Sequence, residues 1–141
     1  MRVLIQKYGL LFAWIVSLTA TAGSLFLSDV MGYLPCKLCW FQRIFMYPLV
    51  LLLGRAAIRD DRGIAGYTLP LSVIGGLISA YHFAEQKIPG LAAMMPCTAG
   101  VPCDVDYLNW FGFITIPFMA LIAFILITIF LLIARRADHT Q

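Results

Sequence analysis

Pro35-Cys36-Lys37-Leu38-Cys39-Trp40-Phe41-Gln42-Arg43 sets a Cys-x-x-Cys pair where a polar segment gives way to an apolar run from Trp40 to about Ile58. How that run is read decides the fold. Arg43 and Arg55 bracket only eleven uncharged residues, so it crosses a bilayer if Arg43 sits at the outer interface and Arg55 snorkels inward. Composition favours crossing. The chain is 62% hydrophobic and only 12% charged, against about 25% charged in soluble domains, and its mean hydropathy is +0.90.

Three further apolar segments flank this one: about Tyr8 to Leu27, about Ile64 to Phe83 and about Trp110 to Ile133. Each approaches the roughly 20 residues a helix needs to cross a hydrocarbon core of about 30 Å. The expected fold is an all-α membrane protein, a single four-helix transmembrane bundle over residues 1–141. Arg2, Lys7, Arg55, Arg59, Arg62, Arg135 and Arg136, seven of the ten basic residues, fall on one side of it. The positive-inside rule assigns that side to the cytoplasm. Both termini are then cytoplasmic, and two loops carry Cys36, Cys39, Cys97 and Cys103 to the extracytoplasmic face, where disulfides can form and persist. The net charge of +3 is scattered over short loops and forms no nucleic-acid patch. Ala20-Thr21-Ala22 resembles a signal-peptide cleavage site, but apolar character resumes at Leu25-Phe26-Leu27, and the run is read as a retained first helix.

Small residues cluster on helix one (Ser17, Thr19, Ala20, Thr21, Ala22, Gly23, Ser24) and helix three (Ser72, Gly75, Gly76, Ser79, Ala80). Because small residues let helix backbones approach in lipid, these faces are expected to meet; room for a cofactor is the other reading. Pro48, Pro70 and Pro117 are expected inside helices two, three and four, kinking them. Tyr33, Trp40, Tyr81, Tyr107 and Trp110 read as an aromatic belt at the outer interface.

Cys36 and Cys39 stand one turn apart at the start of helix two, with Lys37 between them and Arg43 a turn beyond. Helix dipole and both cations favour thiolate, the reactive form. The second pair, in Pro96-Cys97-Thr98-Ala99-Gly100-Val101-Pro102-Cys103, suits an exposed, labile disulfide. Other readings are structural staples, two unrelated pairs, or zinc held by four thiols. The separation of Cys97 and Cys103 is wider than a zinc knuckle, and no metal is assigned. Two communicating redox pairs need a non-thiol electron sink. Dinucleotide, haem and iron-sulfur signatures are absent from the sequence, which leaves a lipid-soluble acceptor, menaquinone or ubiquinone. Arg43 and His82 are the candidate donors to its carbonyl oxygens. Arg43 can also be read as a snorkelling anchor, and His82 as an interface histidine bonded to a backbone carbonyl.

Taken together, Pro35-Cys36-x-Leu38-Cys39-Trp40-x-Gln42-Arg43-Ile44-x-Met46-Tyr47-Pro48, then Tyr81-His82, Cys97 to Cys103, and Phe113-Ile114-Thr115-Ile116-Pro117 resemble the DsbB-type disulfide-bond formation membrane proteins. The short second loop resembles the BdbC subgroup of Gram-positive bacteria. The resemblance implies a thiol:quinone oxidoreductase in the bacterial cytoplasmic membrane, which oxidises an extracytoplasmic thioredoxin-like dithiol protein and passes the electrons to quinone. It implies that Cys97 is attacked by the partner and that Cys103 then reduces the Cys36-Cys39 bridge. Cys39 would be the thiolate beside quinone, and Arg43 its electrostatic partner. A vitamin-K-epoxide-reductase-like enzyme shares the Cys-x-x-Cys logic, though Trp40-x-Gln42-Arg43 points to the DsbB type. A non-enzymatic membrane scaffold is the remaining alternative.

Overall fold

The computed structural model describes residues 2–88, 90–91 and 114–139. Four α-helices account for most of them: α1 (Arg2–Leu25), α2 (Lys37–Arg59), α3 (Ala65–Lys87) and α4 (Ile116–His139). Each has 23 or 24 residues, which at 1.5 Å per residue gives about 35 Å of helix, enough to cross a bilayer. All four helices are also apolar enough to do so.

The helix ends depart from the apolar runs because polar residues at the rims still form backbone hydrogen bonds. α1 begins well before Tyr8 and passes into a π-helical turn over Phe26–Val30. Gly32, at φ 73°, then turns the chain in a conformation that glycine adopts without a Cβ penalty. α2 ends at Asp60 in the left-handed region, its N–H donating to the Ala56 carbonyl. A 3-10 turn over Arg62–Ile64 leads into α3.

Helix four starts later than the apolar run suggests. Trp110 lies outside the described residues, but Thr115 still precedes α4, and its carbonyl accepts the Met119 N–H at 3.0 Å. Pro117 therefore sits in the first turn, where its missing N–H removes no helical bond. The interior kink expected there is replaced by a helix start. Pro48 and Pro70 do lie inside α2 and α3, both exposed on the bundle exterior.

Each helix packs against two neighbours, α1 and α3 each lying against α2 and α4. The small-residue faces of α1 and α3 accordingly do not form one interface. Gly75 of α3 meets α4 instead: a Cβ there would collide with the ring of Phe124. Ser72 donates to the Phe124 carbonyl at 3.0 Å and contacts the Thr128 hydroxyl at 2.8 Å. The bundle is solid at one end and hollow at the other. Leu10, Leu49, Leu53, Ala65, Ile127 and Leu131 fill the end nearest the α2–α3 turn. Towards the start of α2, Ala20, Gly23 and Ser24 of α1 instead border a cavity of about 530 Å³.

Candidate functional site

Cys36 is the residue from which α2 starts. Its backbone is extended (φ −78°, ψ 177°), and its carbonyl accepts the Trp40 N–H at 3.1 Å. The helical rise of the next turn then brings Cys39 back over it. Both stand as free thiols, with the sulfurs 3.4 Å apart. Cys36 is 5% exposed, Cys39 is half-buried, and both border the cavity.

His82 comes to this pair from α3. It is 1% exposed, with Nε2 3.6 Å from the Cys36 sulfur and Nδ1 3.0 Å from the Gln42 amide. Deep burial between two side chains rules out the interface histidine expected as one reading. The Cys36 thiol, just ahead of the α2 span, is lowered from an ordinary 9.0 to about 4. The contact with the Cys39 sulfur is the largest cause, and burial opposes it. The hydrogen bond and the charge of His82 lower it further. Lys37, expected from its place in the sequence to favour the thiolate, is exposed and is not among these causes.

Arg43 lies beyond the first turn of α2, half-buried, and turns towards α1. Its Nε donates to Ser24 Oγ at 3.1 Å, and an Nη donates to the Ser24 carbonyl at 3.2 Å. The guanidinium lies 5.3 Å from the ring centre of Trp40, within cation–π range. A side chain held by α1 in this way is not a freely snorkelling anchor. Of the belt aromatics, Trp40 is exposed as expected, Tyr33 borders the cavity, and the Tyr81 hydroxyl is buried. Tyr107 and Trp110 lie outside the described residues, as do Cys97 and Cys103.

The structure thus brings Cys36, Cys39, Arg43 and His82 to one end of one cavity. It adds Gln42 and Tyr47, to which the sequence pattern assigned no role, and Ser24, which it placed only on the small-residue face of helix one. Gln42 is buried on the turn that follows Cys39; a buried amide in an apolar span is the signal that could have marked it. Tyr47 borders the cavity, and its buried hydroxyl has no hydrogen-bond partner among the described residues. The cavity wall is overwhelmingly apolar, with polar groups gathered at the cysteine end. That arrangement suits a largely apolar ligand with a polar end.

A membrane bundle with a thiol pair, a lowered thiol and an apolar pocket at one end defines a membrane protein of thiol redox chemistry. The chain belongs to the family of disulfide bond formation protein DsbB, whose sequence model matches residues 6–134. Disulfide bond formation protein C of Bacillus subtilis is 54% identical over 123 residues, 87% of this chain and 89% of that protein. A probable disulfide formation protein C 1 of Bacillus cereus is 53% identical over 88% of this chain and 89% of its own length. A probable disulfide formation protein of Coxiella burnetii is 46% identical over 93% of this chain and 90% of its own. No solved structure matches the chain. The family gives this protein a role in disulfide bond formation, that of an oxidoreductase in a membrane crossed several times.

Proposed function

We propose that the protein is a thiol:quinone oxidoreductase that oxidises a thioredoxin-like dithiol partner outside the cytoplasmic membrane. In this reading the partner's thiolate attacks the Cys97-Cys103 disulfide, and the freed loop thiolate attacks the Cys36-Cys39 disulfide. One disulfide is made in the partner for each one opened at Cys36 and Cys39, so the pair ends as two thiols. Reoxidation needs a two-electron, two-proton acceptor, and a membrane quinone supplies that chemistry, leaving as quinol.

The observation that carries the reading is the cavity of about 530 Å³ that both sulfurs border. Its residues fit a quinone head group. The Tyr47 hydroxyl is an uncommitted donor, and Arg43 is a fixed positive charge a turn beyond Cys39. Ser24 and Trp40 hold the guanidinium on the α1 side, so a charge is ready where negative charge develops. His82 faces Cys36, so its part is to hold the Cys36 thiolate by hydrogen bond and charge rather than to bind the acceptor directly. The basic residues favour cytoplasmic termini and an extracytoplasmic site.

The test is quinone reduction by the purified protein with a reduced thioredoxin-like partner. The parent turns over. Cys39→Ala is expected to abolish quinone reduction, and retained turnover in that variant would sink the mechanism.

A further inference from the structure

The reduced pair and His82 have a property that disulfide exchange does not require. The sulfurs of Cys36 and Cys39 lie 3.4 Å apart, and Nε2 of His82 lies 3.6 Å from the Cys36 sulfur. All three ligand atoms lie within 4.8 Å of one another. Around a tetrahedral zinc ion, Zn–S near 2.3 Å and Zn–N near 2.0–2.1 Å place two sulfurs about 3.8 Å apart and a sulfur and a nitrogen about 3.6 Å apart. The observed separations are within a fraction of an ångström of those values along both edges. The donor set, two thiols and an imidazole, is soft and borderline-soft, as zinc prefers.

The surroundings favour metal binding as well. Gln42 contacts Nδ1 of His82 at 3.0 Å. The amide oxygen and nitrogen can exchange places, and with the oxygen towards Nδ1–H the lone pair of Nε2 faces the sulfurs. Metal-binding histidines are ordinarily held through the other ring nitrogen in this way. Burial of His82 and Cys36 fixes two of the three ligands in advance. The cavity leaves a fourth position open to water or another ligand.

We propose that the dithiol form of this protein binds one thiophilic divalent cation of the zinc class through Cys36, Cys39 and His82. The site is gated by redox state. In the disulfide the sulfurs close to about 2.05 Å and neither remains as a thiolate, so oxidation of the pair dissolves the site. Binding changes no oxidation state: the cation enters and whatever protons remain on the two thiols leave. A bound cation occupies both sulfurs and so holds the pair reduced and inactive. This is a different ligand set from the four thiols considered from sequence, since the loop cysteines take no part.

The experiment is equilibrium zinc binding to the full-length protein in detergent micelles, reduced with a phosphine and competed against a chromophoric chelator. Cobalt(II) substitution then reports thiolate charge-transfer bands and tetrahedral d–d bands. The reduced parent should bind one zinc, and the protein oxidised beforehand none. Cys97→Ser/Cys103→Ser should bind as the parent does. His82→Ala should weaken binding by more than tenfold, and Gln42→Leu, which keeps all three ligands, by about tenfold. Helical circular dichroism and a thiol count establish that each variant is folded and reduced. Absence of binding to the reduced parent overturns the proposal. So does loss of binding in the loop-cysteine variant, or unchanged affinity in both His82→Ala and Gln42→Leu. None of these readouts involves quinone, so failure of the proposed electron acceptor would leave this result standing.

Discussion

Cys36 and Cys39 share a motif but not an environment, and the difference has a measurable consequence at Cys36. Its thiol is lowered to about 4 by Cys39 first and His82 next, so in the reduced protein it stays thiolate from neutral pH down towards that value. As pH falls through about 4 the thiolate is protonated and its reactivity is lost. Alkylation of Cys36, mapped by mass spectrometry against pH, should be flat from pH 8 to about pH 5 and fall below that. Removing either partner should move the midpoint up towards 9.0, Cys39→Ala more than His82→Ala. A parent midpoint already near that ordinary value would contradict the geometry. A stabilised thiolate also stabilises the reduced pair, which makes its disulfide the stronger oxidant.

Arg43 is held by the shape of its head group as well as by its charge. Its two bonds to Ser24 and its place over Trp40 use the planar, forked guanidinium, which an ammonium cannot reproduce. Arg43→Ala should raise the KM for quinone about tenfold or more, with a smaller change in the KM for the partner. Arg43→Lys should recover little of the loss. Steady-state kinetics with each substrate varied in turn checks both, and a larger effect on the partner's KM would count against the assignment. Ser24→Ala should fall between parent and Arg43→Ala, because the Ser24 carbonyl remains as an acceptor.

At the scale of the helices, Gly75 and Phe124 fix the approach of α3 to α4. A methyl at position 75 meets a ring that is itself fully buried, so the α3–α4 contact must open. Gly75→Ala should destabilise the bundle by about 1–3 kcal/mol, seen as a lower midpoint for thermal unfolding in detergent. Adding Phe124→Leu should recover part of that loss, since the residues touch and their effects are not additive. Pro117→Ala, in the first turn of α4, should change stability little. The number of helices was legible from length and hydropathy alone, because lipid demands runs of about 20 apolar residues. Their partners were not: Gly75 and Ser72 mark a close approach without saying to what. The Ala20-Gly23-Ser24 face proved to border a cavity. For the same reason Cys36, Cys39 and Arg43 could be read from spacing along one helix. The Cys36–His82 and Gln42–His82 contacts join residues 46 and 40 positions apart and depend on how α2 and α3 face each other.

Across the whole molecule, the division into a packed end and a hollow end separates what must be rigid from what must exchange. Leu49, Leu53, Ile127 and Leu131 hold the helices together away from the cysteines, so the packing of the bundle does not depend on the walls of the cavity. The proposed relay then makes the two cysteine pairs separable by function. If Cys97 and Cys103 serve only to receive electrons from a protein, removing them should spare the chemistry at the cavity. Cys97→Ser/Cys103→Ser should no longer oxidise a reduced thioredoxin-like partner, yet should still reduce quinone when a small dithiol is supplied. Cys36→Ser or Cys39→Ser should lose quinone reduction with either donor. Parallel assays with the two donors distinguish the cases. Partner oxidation that survives loss of the loop pair would mean that the partner reaches Cys36 or Cys39 directly. The bundle would then work with one disulfide rather than two.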